Sequence, residues 1–172
     1  TIDEQLNRLP AGEIGELVGH STTMMSGYQN QPEKTEEASW YDDNGERWQR
    51  MGDIGRVDEE GFVTLLGRSK DMIISGGFNI YPRDLEDALL KQPEVVDAAV
   101  IGIPSKEWGE TPLGFVVAAG GETLDLPAVC ARANAELGKT QRISALKQLD
   151  ELPRSHIGKI LKTALREMVS ET

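Results

Sequence analysis

Apolar and polar positions follow one pattern up to about residue 70 and another beyond it. The first stretch is β-favouring and punctuated by glycine. Gly12-Glu13-Ile14-Gly15-Glu16-Leu17-Val18-Gly19 predicts short strands with tight turns, and Asp42-Asp43-Asn44-Gly45 is a turn between strands. Asp58-Glu59-Glu60-Gly61 is another, joining a strand over 54–57 to one over 62–66. Between them Pro32 opens a short polar helix over 33–37. Beyond Lys70, strands alternate with helices. Residues 72–75 read as a strand, and Pro82 sits in the first turn of a helix whose Asp84, Glu86 and Asp87 favour its positive end. Leu85, Ala88 and Leu89 give that helix one apolar face, and Pro93 stops it.

Residues 95–103 and 113–119 are nearly continuous apolar runs, the pattern of buried strands. Asp125 caps a helix with Leu126, Val129, Cys130, Ala133 and Leu137 on one face and Gly138 at its end. Residues 143–149 fit strand or helix by period. Ile157, Ile160, Leu161, Ala164, Leu165 and Met168 predict the face of a final helix. The expected fold is α+β: a small domain over 70–172 with a β-sheet and about three helices, preceded over 1–69 by a β-rich segment.

Charge and composition narrow the function. The 18 basic side chains are outnumbered by 29 acidic ones, net −11, which argues against a nucleic-acid surface. Nucleotide binding is not excluded, because a few local cations and backbone amides suffice for phosphate. The single cysteine, Cys130, fits a reducing compartment and reads as core. No apolar run nears the ~20 residues that span a bilayer, and no signal peptide opens the chain, so a cytoplasmic location is expected. The chain begins on Thr1 without an initiator methionine, and we read it as the C-terminal piece of a longer enzyme.

Three ordered stretches carry the candidate chemistry. The central run is Gly67-Arg68-Ser69-Lys70-Asp71-Met72-Ile73-Ile74-Ser75-Gly76-Gly77-Phe78-Asn79-Ile80-Tyr81-Pro82. By itself it is a β-hairpin with a glycine corner. Upstream stands Trp48-Gln49-Arg50-Met51-Gly52-Asp53-Ile54-Gly55, and downstream Leu152-Pro153-Arg154-Ser155-His156-Ile157-Gly158-Lys159-Ile160-Leu161. Together they resemble core motifs of the adenylate-forming superfamily: acyl-CoA synthetases, adenylation domains of peptide synthetases, and luciferases. Gly27, Tyr28, Pro32 and Thr35 are similar to a further family pattern, and residues 12–19 resemble the end of the family's large domain.

The resemblance implies roles residue by residue. Lys159 resembles the lysine that enters the active site during adenylation, beside the substrate carboxylate and the ATP α-phosphate. An ammonium there stabilises charge as it develops. Asp53 resembles the aspartate that accepts both ribose hydroxyls of ATP, and Arg68 the arginine near the ribose or phosphates. Met51 stands where the family usually has threonine. Lys70 corresponds to the hinge about which the small domain rotates between half-reactions. Gly76 and Gly77 would line the path of the pantetheine thiol. Trp108 corresponds to an aromatic that stacks on the adenine of CoA in some relatives, and a rim tryptophan is the plain alternative. The family's aromatic-Lys-x-Pro stretch is replaced by Thr140-Gln141-Arg142-Ile143, leaving Lys139 and Arg142 as nearby cations, and the family makes 143–149 a strand.

The implied activity is a carboxylate–CoA ligase working in two steps, acyl-AMP and then acyl-CoA. Its partners would be a carboxylic acid (fatty or aryl), ATP, Mg²⁺, coenzyme A and an N-terminal domain of the same chain. A lysine acetyltransferase acting on Lys159 would switch it off by deleting the charge. The acyl pocket and the ATP-phosphate loop would lie upstream, so this chain alone is expected to be inactive. Two other readings stand beside it: an adenylation domain loading a carrier-protein thiol, and a non-catalytic interaction module. His20 and His156 are not spaced for a metal and pair with no nucleophile in sequence, so both read as structural or solvated.

Overall fold

In the computed structural model, which describes residues 1–170, backbone contacts divide the chain into two compact units, Thr1–Lys70 and Asp71–Thr172. The expected small domain, 70–172, ends on two positions outside the described residues. The described residues form nine strands and four α-helices, β1 to β9 and α1 to α4 in chain order.

The first unit is a four-stranded antiparallel sheet with β3 at its centre. Strand β3 (Arg47–Val57) pairs with β1 (Gly15–Gly19), β2 (Ser39–Tyr41) and β4 (Val63–Arg68). Helix α1 (Pro32–Glu37) buries nothing. The turn signals act as read: the Asp42 and Asp58 carboxylates accept backbone N–H bonds from residues two and four positions on. The apolar core of this unit is small, Ile2, Leu17 and Ile54.

The second unit carries the larger core. Strand β7 (Val95–Ser105) and β8 (Gly109–Ala118) pair antiparallel from Val95↔Ala118 to Ser105↔Gly109. Strand β8 also pairs with the short β5 (Ile73–Ser75), itself in a hairpin with β6 (Phe78–Ile80). On β8's other side lies β9 (Ala145–Gln148), parallel to it, so the ambiguous segment is a strand. A parallel neighbour requires a crossover, and α3 (Leu126–Glu136) supplies it.

Both faces of the β7–β8 ladder are buried, which explains the unbroken apolar runs. Ala98, Val100 and Val116 meet Leu85, Ala88 and Leu89 of α2 (Pro82–Leu90) and Val129 and Ala133 of α3. Ala99, Ile101, Leu113 and Phe115 face the other way, against Leu152 and Leu165. The Asp125 cap accepts the Ala128 N–H at 3.1 Å, as the spacing predicts. Helix α3 ends differently from expectation: Leu137 is its extended C-cap, and Gly138 does not take a left-handed conformation.

The last helix also needs correcting. Helix α4 is Lys162–Ser170, so Ile157, Ile160 and Leu161 precede it. Gly158 lies at φ +80 and Ile160 bridges back to Arg154, which makes 154–160 a turned loop. The apolar spacing there imitated a helical face. Leu165 is the α4 residue fully buried, whereas Ile157 is 75% exposed. No helix of the described residues is long and apolar enough to cross a membrane.

Replacing Leu165 by alanine should therefore lower stability by about 2–5 kcal/mol in denaturant unfolding, since the sheet face can collapse only partly onto the space left. Ile157→Ala should stay within roughly 0.5 kcal/mol. Equal costs at the two positions would mean that the helix extends further back than Lys162.

Candidate functional site

In the first unit the predicted pair Asp53 and Arg68 comes together. The two residues stand opposite each other where β3 meets β4, and the Arg68 guanidinium donates to one Asp53 carboxylate oxygen at 3.1 Å. Asp53 is partly shielded and Arg68 more open, with side chains 29% and 47% exposed. The guanidinium thus orients the carboxylate while leaving it within reach of solvent, a suitable acceptor for a vicinal diol.

The neighbouring Arg50 has a different task. Its Nη2 and Nε donate to one oxygen of Glu16 at 2.6 and 3.1 Å, and the Gly52 N–H reaches the other oxygen at 3.2 Å. Glu16 on β1 thereby fixes the backbone just before Asp53. Sequence reasoning did not single out Glu16; an acidic residue alternating with apolar ones on a strand gave too little signal. Met51 is half exposed, with its methyl over Gly19. Lys70 is exposed in the 3-10 turn Ser69–Asp71.

In the second unit Gly76, Gly77 and Trp108 form one corner. Gly76 and Gly77 lie at φ +57 and +82, a region that L side chains rarely adopt. The Gly76 N–H donates to the Trp108 carbonyl at 2.9 Å, and the indole lies against the Gly76 α-carbon. A β-carbon on Gly76 would sit 2.8 Å from Trp108 Cε3, whereas one on Gly77 would meet nothing within 4 Å. Trp108 remains 52% exposed. The Glu110 carboxylate accepts the Ile74 N–H at 2.9 Å and so ties the corner to β8.

Lys159 stands exposed on the 154–160 loop, at no helix start. Ser155 braces it: the Lys159 N–H donates to Ser155 Oγ at 3.2 Å, and the Ser155 N–H to the Lys159 carbonyl at 2.8 Å. The Arg154 guanidinium donates to the Gly158 carbonyl at 2.7 Å and to Asp97 Oδ2 on β7 at 2.5 Å. At the start of α4, Lys162 pairs with Glu86 of α2 at 2.7 Å, both largely buried, and Arg166 pairs with Asp71 at 3.0 Å. Among the described residues the Lys159 ammonium has no ion-pair partner, while these three neighbouring cations do. Arg154, Asp97, Glu86 and Lys162 were missed as supports. Their partners lie 57 and 76 positions apart in sequence, beyond any local pattern.

The remaining candidates are peripheral. Lys139 and Arg142 are exposed on the loop leading to β9, which Asn134 holds by exchanging two hydrogen bonds with Ile143 at 2.8 and 2.9 Å. His20 contacts the Arg47 carbonyl at 3.0 Å and Glu46 at 3.3 Å beside the Trp48 ring, and His156 is exposed. Burial pushes the Cys130 thiol up from its ordinary pKa, so at neutral pH it is a protonated core group. No group of three or more His, Cys, Asp or Glu among the described residues could hold a metal ion.

The chain is similar to known proteins. Residues 84–159 match the family described as AMP-binding enzyme C-terminal domain. A long-chain-fatty-acid–CoA ligase of Mycobacterium tuberculosis is 40% identical over 158 residues, 92% of this chain and 30% of the relative. A 2-succinylbenzoate–CoA ligase of Bacillus cereus is 39% identical over 163 residues, 95% of this chain and 32% of the relative. The crystal structure of ATP-bound MatB from Rhodopseudomonas palustris superposes with a TM-score of 0.90 at 36% identity, covering 99% of this chain and 33% of that one. The chain thus spans about a third of the length of the relatives it matches.

The glycine corner makes a direct prediction. Gly76→Ala should displace the indole and shift the Trp108 side-chain N–H signal in NMR spectra. Gly77→Ala should leave that signal in place. Each should also cost about 1–3 kcal/mol through backbone strain. An unmoved Trp108 signal in Gly76→Ala would show that the ring does not rest on that glycine.

Proposed function

We infer that the chain belongs, through residues 84–159, to the AMP-binding enzyme C-terminal domain family and that it is part of an ATP-dependent carboxylate–CoA ligase. The observation that carries the reading is the exposed Lys159 ammonium, without an ion-pair partner among the described residues, on a loop braced by Ser155 and Arg154. A cation held on a shaped loop suits a phosphate whose charge grows as a carboxylate attacks it.

In this proposal Asp53 accepts the ribose hydroxyls of ATP, oriented by Arg68. Lys159 stabilises the α-phosphate and the attacking carboxylate while acyl-AMP forms and pyrophosphate leaves. Coenzyme A then attacks the acyl carbonyl through its thiol and releases AMP. The open side of Gly77 leaves room for the pantetheine arm, and the half-exposed Trp108 offers its ring to the adenine of CoA. Lys70 serves as the hinge between the two steps, a backbone role that its place in a 3-10 turn allows. Mg²⁺ would accompany ATP as its counter-ion. Residues 1–69 would complete a large ATP-binding domain and 70–172 would form its mobile partner. We place the enzyme in the cytoplasm, with a fatty or aryl acid as substrate. Acetylation of Lys159 by a lysine acetyltransferase would switch adenylation off, since the charge is what acts there.

Two outcomes are expected. Residues 1–172 alone should release no pyrophosphate with ATP and a panel of carboxylic acids; turnover would show that the chain is complete as a catalyst. In the full-length enzyme Lys159→Ala should slow acyl-AMP formation by about 10²–10³-fold, the usual cost of one preorganised electrostatic contact. Thiol transfer from supplied acyl-AMP should change little. Equal loss in both half-reactions would remove Lys159 from its assigned step.

A further inference from the structure

We infer that Arg154 is a positioning residue for Lys159 and that Asp97 holds Arg154 in that task; the inference rests on the adenylation role proposed for Lys159. The bonds within the loop are local. Ser155 and Gly158 close the turn through Gly158 N–H to the Ser155 carbonyl at 2.8 Å, and Leu161 N–H to the Pro153 carbonyl at 2.8 Å closes its base. Such bonds give the loop a shape but do not fix where its tip points. Arg154 is the polar link from the tip to the sheet, on the Gly158 side of Lys159, while Ile160 on the other side packs partly buried against the second core. One arm of its guanidinium takes the Gly158 carbonyl, the peptide group joined directly to Lys159, and the other takes Asp97 of β7.

The chemistry of each partner suits this. A guanidinium is a rigid planar fork, so fixing one arm on Asp97 also fixes the direction of the other. Asp97 is itself oriented, because its second oxygen accepts the Ala98 N–H at 3.1 Å, and Ala98 is buried in the sheet. The result is a continuous path from the buried ladder through Asp97, Arg154 and the Gly158 carbonyl to the Lys159 backbone. The side chain of Lys159 has four rotatable bonds, and holding its α-carbon narrows the volume that the ammonium must search. A lysine in place of Arg154 would keep the charge and reach one acceptor but could not span both at the same geometry.

The test uses the full-length enzyme, with acyl-AMP formation and thiol transfer assayed separately for Arg154→Ala, Arg154→Lys, Asp97→Asn, Lys159→Ala and the double variant Arg154→Ala/Lys159→Ala. Arg154→Ala should lower acyl-AMP formation by about 10–100-fold, the scale of a roughly 1 Å misplacement. Thiol transfer should be spared, which general damage to the fold would not achieve. Arg154→Lys and Asp97→Asn should fall between wild type and Arg154→Ala. In the Lys159→Ala background, removing Arg154 should add less than about twofold, because residues that act as a unit are not additive. Hydrogen exchange at the Gly158 and Lys159 amides should quicken in Arg154→Ala while the β7 and β8 amides keep their protection.

Several results would overturn the inference. If Lys159→Ala is impaired but Arg154→Ala is within twofold of wild type, Arg154 does not position the lysine and only this inference falls. Multiplicative losses in the double variant would give Arg154 an action independent of Lys159. An unimpaired Lys159→Ala would remove the adenylation role itself, and the positioning role with it.

Discussion

The second unit depends on the antiparallel ladder between β7 and β8 being buried on both faces. A strand pair normally offers one apolar face, and here side chains on alternate positions serve two separate cores. Ala98 and Val100 pack under α2 and α3, while Ala99 and Ile101 pack under α4 and Leu152. Apolar side chains fill the middle of both faces, and the polar Asp97 and Glu110 lie toward the ends of the strands, where each takes a hydrogen-bond partner. The candidate features of the second unit are tied to the ladder: the glycine corner through Glu110 and Ser75↔Gly109, and the lysine loop through Asp97 and Leu152.

The ion pairs around α4 divide by burial. Lys162 and Glu86 are less than one-fifth exposed, and Glu86 also accepts the Val100 N–H at 2.9 Å, so the carboxylate joins α2, β7 and α4. Removing Lys162 would leave that charge partly buried with one neutral donor, the costly way to break such a pair. Arg154–Asp97 is more open, at 43% and 28% exposed, and contributes little to stability by itself. Its significance is directional. The arrangement separates a pair that holds the fold from a pair that aims a side chain.

Much of this was legible in the chain. The apolar runs, the Asp125 cap, the Pro82 helix start and the aspartate turns appear where residue chemistry put them, because each is decided by neighbours within a few positions. The final helix was over-extended because Ile157, Ile160 and Leu161 keep helical spacing, whereas Gly158 at positive φ and the Arg154–Ile160 bridge decide the backbone there. At the candidate site the named residues were visible through resemblance. Their supports were not, since Glu16–Arg50, Asp97–Arg154 and Glu86–Lys162 are made by tertiary register that no local pattern encodes. Asp53 and Arg68 could be named separately, but only the pairing of β3 with β4 shows that one orients the other.

Helix α4 follows the lysine loop directly and packs its Leu165 against the second face of the ladder. A polypeptide ended after Lys159 would still carry every candidate site residue. It would also leave Ala99, Ile101, Leu113 and Phe115 without the helix that covers them, a contiguous sticky surface on a sheet already formed. In a cell such a product would meet chaperones and proteases before it met a substrate. Premature stop codons in this last stretch would thus be read out as missing protein rather than as slow enzyme.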